Sequence, residues 1–495
     1  MRKFLAIILS LTLFKLIMQC LGNQHYGFHR DELLHLSVSE HLAWGYMEFP
    51  PMIAALGSLS HWLFDYSLVG VRLLPTLAGA SILVLCCLMA IELGGGKKAV
   101  LLAGICILVF IPFYRNHTLF QPVVFDQLFW TLGFYFMIKY MNTGHKKFLL
   151  FIGITLGLGL LTKYTILVWG LGIFTGLLFY QKGSLFKNKW LYISASLAVL
   201  LFLPNLLWQI ANDLPLLKHL KALNESQLEG ISPWSFLLEQ LALPFTFTIS
   251  LIGIGGFFFD DKLKKYKMLG ITALIIFASM WLLHAKAYYV FALYPLLFAA
   301  GAVRLSRLLS TKPTWVYATV ILCLLPPLYF IPEATPIMPI EKFIRYKGLE
   351  AKEGRIALTS DYADMFGWEE QVELVDSVYR SLTPEDKKNS VLWAENYGEA
   401  GALKILGKKY GLPDPICRHG SFWLWGYGNE NAAVWISLGN EKAAVEAVFE
   451  EVTLVKIITH PYAIAEENGI PLYIGRKPKV NIPKWWAAYE NYVFD

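Results

Sequence analysis

Residues 4–51 read FLAIILSLTLFKLIMQCLGNQHYGFHRDELLHLSVSEHLAWGYMEFPP. Phe4–Leu21 is a mostly apolar run, long enough to cross roughly 30 Å of hydrocarbon as a helix. No small-x-small cleavage pattern follows it and more apolar runs come after, so it reads as a retained span. The text then changes abruptly. From Gly22 to Tyr66 the chain carries His29-Arg30-Asp31-Glu32, then Leu33, Leu34, Leu36, Val38 and Leu42, an amphipathic segment suited to lying along a membrane surface. Trp44-Gly45-Tyr46-Met47-Glu48-Phe49-Pro50-Pro51 makes a turn, and Met52–Phe64 is a second amphipathic stretch. One span followed by a large loop with two surface helices is the expectation that the rest of the chain extends.

Of the 495 residues, 56% are hydrophobic and 16% charged, against about 25% charged in a soluble domain. The apolar residues fall in about eleven runs, near residues 4–21, 68–91, 99–114, 122–140, 148–161, 164–181, 190–208, 234–258, 268–284, 289–306 and 314–330. Alternate loops hold the basic residues, among them Lys97, Lys98, Lys146, Lys147, Lys262, Lys264, Lys265 and Arg304. By the positive-inside rule these loops face the cytoplasm, with the N-terminus inside and the C-terminal segment outside. The acids gather on the opposite, outer face: Asp31, Glu32, Glu40, Glu48 and Asp126 are among them. Ionisable groups at a membrane edge are costly and usually functional. Chemistry is therefore expected on the outer side.

The net charge of +6 is the sum of +12 up to residue 330 and −6 beyond it. It reflects orientation in the membrane and gives no footing for nucleic-acid binding. Residues 1–330 are read as a helical membrane domain with the large outer loop 22–66. Residues 331–345, with Pro332, Pro336 and Pro339, read as a linker, and residues 346–495 as a soluble extracytoplasmic α/β domain. Its expected strands are Arg355–Thr359, Val391–Ala394, Ala433–Ser437, Val452–Ile457 and Pro471–Ile474. Helical spacing covers Asp364–Tyr379 and Gly398–Tyr410, with Asn440 capping a helix through Phe449. Only Cys417 of the six cysteines lies in that domain, so no disulfide framework is present there, which fits a bacterial inner membrane facing the periplasm.

Asp31-Glu32, then Gly45-Tyr46 and Glu48-x-Pro-Pro, resemble the first outer loop of GT-C glycosyltransferases of the protein O-mannosyltransferase and aminoarabinose-transferase-like branch. The resemblance continues in order through Arg72-Leu-Leu-Pro, Phe120-Gln-Pro-Val-Val-Phe-Asp126, Gly159-Leu-Leu-Thr-Lys163-Tyr164, Pro204-Asn205 and Lys286-Ala-Tyr288-Tyr289. It implies an inverting glycosyltransferase that moves a sugar from a polyprenyl-phosphate carrier to a hydroxyl of a lipid, glycan or protein at the outer face. Such chemistry needs a base for the acceptor proton and cations for the departing phosphate. The resemblance makes Asp31 the general base, Glu32 its orienting partner and Asp126 a further catalytic candidate. It points to Glu48, Arg115, Lys163, Lys286, Tyr288 and Tyr289 for the carrier phosphate, with Lys286 favoured by its Lys-x-Tyr-Tyr setting. Where relatives have Glu-Lys-Pro-Pro this chain has Phe49, which shifts weight to Lys286 and Arg115. Some relatives hold a divalent metal ion between this glutamate and a later histidine, here matched by His219.

Plainer readings stand beside these. Asp126 suits a helix start stabilised by the dipole, Lys163 a span boundary, Lys286 a snorkelling interface residue, and His219 an exposed loop position. Asn396-Tyr-Gly-Glu-Ala-Gly401, after a strand, suits either a tight turn or an anion cradle. A transporter or flippase of lipid-linked substrates would share the hydropathy, but it would place polar groups near mid-membrane. Here the span centres carry almost no charge apart from Lys15.

Overall fold

The structure is a computed structural model describing residues 2–181, 187–228, 230, 232–241, 243–311, 314–315, 318 and 329–492. The expected span near 314–330 lies mostly outside these residues. The chain is an integral membrane protein. Among the described residues, five helices have the length and composition to cross a membrane, and a sixth if one bent pair counts as a single span.

The helices in chain order are α1 (Arg2–Gly22), α2 (Arg30–Ser39), α3 (Met52–Phe64), α4 (Leu68–Glu92), α5 (Lys97–Val109), α6 (Pro112–Asn116), α7 (Pro122–Thr143) and α8 (Lys147–Leu160). They continue with α9 (Ile166–Gln181), α10 (Lys189–Ala211), α11 (Pro215–Leu223), α12 (Pro233–Leu241), α13 (Pro244–Phe259), α14 (Lys267–Leu282) and α15 (Tyr294–Leu308). Local chemistry sets their ends. Ser67 caps α4 by accepting from Gly70 N–H, Pro122 opens α7, and Gly144 closes it in the left-handed region at φ 67°. The run 234–258 is two helices, α12 and α13, meeting at 99°, with Pro244 in the first turn of the second. Helices α13 and α15 approach backbone to backbone: a Cβ on Gly301 would sit 2.1 Å from Ile249 O, and one on Gly253 would sit 2.4 Å from Leu297 O. Lys15 is fully buried, its ammonium 5.1 Å from the Tyr114 ring centre.

The two loop helices are present, but α2 does not lie on a surface. From Glu32 to Ser39 it is buried throughout. It is held between α3 and a helix of the C-terminal domain, Tyr397–Ile405. A Cβ on Gly401 would be 2.8 Å from Leu33 Cβ, so the glycine lets the two helices touch. The polar side chains of α2 survive burial because each is satisfied: His35 Nδ1 bonds Phe120 O, Ser37 bonds Leu33 O and Ser39 bonds Leu36 O.

The C-terminal part contains a five-stranded sheet in the order β2-β1-β3-β5-β4, from β1 (Ser390–Ala394), β2 (Pro415–Cys417), β3 (Val434–Leu438), β4 (Phe449–Ile458) and β5 (Ile470–Pro478). β1 runs parallel to β2 and β3, while β5 is antiparallel to β3 and β4. Four expected strands are found. Arg355–Thr359 is irregular, forming only a bridge to Lys352 after a turn through Glu353 and Gly354, both at positive φ. The expected cap at Asn440 is displaced: its amide bonds the Trp393 and Leu438 carbonyls, and Glu441 precedes the helix Lys442–Val448. Part of the expected linker is helical, Ile340–Lys347.

Candidate active site

Helix α2 opens with a capping box. His29 Nδ1 accepts from Asp31 N–H at 3.1 Å, and the Glu32 carboxylate accepts from His29 N–H at 2.9 Å. The box fixes the first turn and sends its two acids in different directions. Glu32 points inward and is fully buried. It accepts from Arg72 Nη2 at 2.8 Å and from Phe120 N–H at 3.0 Å. Asp31 points to a cavity of about 370 Å³. Its Oδ2 accepts from Gln121 Nε2 at 2.8 Å and its Oδ1 from the Tyr397 hydroxyl at 3.1 Å. Burial pushes the Asp31 carboxyl up, but His29, His35, the Tyr397 hydroxyl and Arg30 outweigh it and hold it below the usual aspartate range. Burial likewise keeps His35 below the ordinary histidine value.

The cavity lies where the first loop meets the ends of several helices. Beside Asp31 and His35 it is lined by Glu48 and Phe49 of the Pro-Pro turn, by Lys163, Tyr164 and Thr165 between α8 and α9, by His219 of α11, and by Tyr288 and Tyr289. The Lys163 ammonium stands 4.4 Å from the Tyr289 ring centre and 5.6 Å from that of Tyr288, and among the described residues it pairs with no carboxylate. A cation set against aromatic faces on a cavity wall suits an anionic ligand.

The other expected site residues stand outside the lining. Asp126 is buried behind the wall, where Oδ2 accepts from Thr165 Oγ1 at 2.7 Å and Oδ1 from Trp130 Nε1 at 3.1 Å. Arg115 pairs with Asp361 of the C-terminal domain at 2.6 Å. Lys286 precedes the 3₁₀ turn Ala287–Leu293 that carries the tyrosines. The cavity thus gathers Asp31, Glu48, Lys163, His219, Tyr288 and Tyr289, with Glu32 and Asp126 supporting its walls.

Glu48 and His219 share the cavity, yet they do not form a cation site as placed. Glu48 Oε1 accepts from Ser421 N–H at 2.7 Å and Oε2 from Ser421 Oγ at 2.5 Å. His219 Nδ1 bonds Tyr492 O at 3.0 Å. No group of three His, Cys, Asp or Glu side chains able to hold a metal exists among the described residues. The Asn396 segment is a second capping box: Asn396 Oδ1 accepts from Gly398 and Glu399 N–H, so its own side chain fills the cradle left for an anion.

Sequence reasoning missed His35, Gln121, Tyr397 and Ser421. His35 carries a signal in retrospect, one helical turn after Asp31. Gln121 lies inside the quoted Phe120–Asp126 motif. Tyr397 and Ser421 reach the site only through tertiary packing.

The family model for dolichyl-phosphate-mannose-protein mannosyltransferase matches residues 48–208. No curated protein sequence matches the chain. The structure is similar to ArnT from Cupriavidus metallidurans bound to undecaprenyl phosphate, with TM-score 0.61 and 12% identity over 95% of this chain and 97% of that one. It is equally similar to the apo form of ArnT, with TM-score 0.60 and 11% identity over 96% and 98% of the two chains. The archaeal oligosaccharyltransferase AglB from Archaeoglobus fulgidus, in complex with an inhibitory peptide and a dolichol-phosphate, gives TM-score 0.51 and 13% identity over 88% of this chain and 69% of that one.

Proposed function

From a fold of the GT-C glycosyltransferase type, we propose that the chain transfers a sugar from a polyprenyl-phosphate carrier to a hydroxyl acceptor on the outer face of a bacterial inner membrane, with its N-terminus in the cytoplasm. The observation that carries this reading is the placement of a carboxylate, Asp31, and an ammonium, Lys163, which among the described residues joins no ion pair, on the lining of one cavity. Support for the donor class comes from the lipid phosphates held by the ArnT and AglB structures.

The step asks two things of the site. The acceptor O–H proton passes to Asp31 as the acceptor oxygen bonds the sugar carbon, and the bond from that carbon to the phosphate oxygen breaks. The electron pair leaves on the polyprenyl phosphate, and attack from the side opposite the leaving group inverts the carbon. Asp31 is ionised at neutral pH and has both oxygens anchored by Gln121 and Tyr397, so its orientation is set before the acceptor arrives. Lys163, with Tyr288 and Tyr289 beside it, stabilises the charge that develops on the phosphate. Glu32 orients Asp31 through the helix start. Asp126 holds Thr165, and through it the Lys163 turn. The acceptor is a lipid, glycan or protein hydroxyl.

Asp31→Asn keeps the hydrogen-bonding shape and removes the base. Turnover of purified protein in nanodiscs is expected to fall about 10²–10⁴-fold with insertion intact. The envelope glycans of a strain carrying this variant, compared by mass spectrometry with the wild type, should lose the same sugar. Undiminished transfer by Asp31→Asn would sink the assignment.

A further inference from the structure

Both carboxylates that flank the cavity receive hydrogen bonds from the C-terminal domain. Ser421 donates to Glu48 from its N–H and its hydroxyl, and Tyr397 donates to Asp31 across 366 residues of chain. The domain has other means of seating: the face of Tyr397–Ile405 against α2, and the pairs Arg30–Asp364 at 3.2 Å and Arg115–Asp361. The Tyr397 hydroxyl is therefore not needed to hold the domain down. Its placement is nonetheless tightly built. The Asn396 capping box fixes the first turn of its helix. Gly398 lets that turn come close, since a Cβ there would lie 2.7 Å from Trp368 and 2.8 Å from Arg30. The Arg30 guanidinium lies 5.7 Å from the Tyr397 ring centre.

We propose that Tyr397 is a positioning residue for Asp31, and that the C-terminal domain is through it a working part of the active site. The hydroxyl pins Oδ1, as Gln121 pins Oδ2, so that the remaining lone pairs of the carboxylate face the cavity. Burial next to this carboxylate holds the phenol well above its usual range, so it stays a donor at every working pH. Besides Tyr397, the ionisable groups around Asp31 among the described residues are His29, Arg30 and His35 from its own segment, Arg115 of α6, Tyr288 and Asp364 of the C-terminal domain, with Glu48, Lys163, His219 and Tyr289 on the same cavity. This inference rests on reading Asp31 as the base.

The test uses full-length protein in nanodiscs and two variants that keep the ring: Tyr397→Phe, which deletes the donor, and 3,5-difluorotyrosine at position 397, which strengthens it. The ionisation of Asp31 is followed by infrared titration of its carboxyl stretch, assigned by the band lost in Asp31→Asn. Turnover is measured with undecaprenyl-phosphate-linked mannose, glucose and aminoarabinose offered in turn. Tyr397→Phe is expected to raise the Asp31 midpoint by about one pH unit and lower kcat about tenfold with KM for the donor unchanged. The fluorinated residue should move the midpoint the other way. A merely structural role would move neither midpoint. Midpoints and kcat equal to wild type in both variants would overturn the proposal while leaving Asp31 as base. Full turnover in Asp31→Asn would instead remove the base itself, and with it the function of the contact.

Discussion

Arg72 and Glu32 meet with neither side chain exposed, and the carboxylate also accepts two backbone N–H bonds. Breaking a buried pair by removing one partner leaves an uncompensated charge. Arg72→Met should therefore destabilise the protein by about 3–5 kcal/mol, seen as a lower Tm in detergent. The pH dependence has a definite sign. Burial pushes Glu32 up, while Arg72 and the N–H groups of His29 and Phe120 outweigh it and hold it below its ordinary value of 4.5. The pair's contribution is fully present above that value and is lost as pH falls through the lowered one. The deficit of Arg72→Met relative to wild type should accordingly narrow in acid. Adjacent in sequence, Asp31 and Glu32 were legible as two acids in the first turn of a helix. Their division of labour was not, because it depends on Arg72, Gln121 and Tyr397, all contributed from elsewhere in the chain.

The loop helices show what periodicity conveys and what it omits. The existence of α2 and α3 followed from the apolar spacing and from the Pro-Pro turn between them. The surface position of α2 did not hold, since an apolar stripe says which face is buried and is silent about a second partner on the polar face. That partner is the helix Tyr397–Ile405, and the tightest point of contact is Gly401 against Leu33. Gly401→Val is expected to force the helices apart and lower turnover by about tenfold or more, although the residue lies outside the cavity. Turnover measured alongside limited proteolysis of the C-terminal domain will check this, and a variant with normal activity and wild-type protease resistance would count against it. β2 escaped detection for a simpler reason: three residues carry no alternation to read.

Across the whole molecule, the uneven distribution of Lys and Arg carries a prediction about orientation. By the positive-inside rule the acids of the first loop, the cavity and the sheet domain are all expected on the periplasmic side. Alkaline phosphatase joined after residue 495 should be active in the periplasm, whereas the same reporter inserted beside Lys97 and Lys98 should be inactive. The reverse pattern would place the cavity in the cytoplasm. The change from long apolar runs to a C-terminal sheet domain was legible from composition. The seam between them was not, because it is made of single charges and hydroxyls scattered over both parts: Arg30 with Asp364, Arg115 with Asp361, and Glu48 with Ser421.

The bond between Asp31 and Tyr397 also orders events in time. At about 5–20 residues per second, a ribosome needs roughly 20–70 s to make the 366 residues between them. Throughout that interval the nascent bundle sits in the bilayer with its loop carboxylates still waiting for their partners. The carboxylate of Asp31 gains its last protein hydrogen bond only when synthesis has passed residue 397, late in the making of the chain.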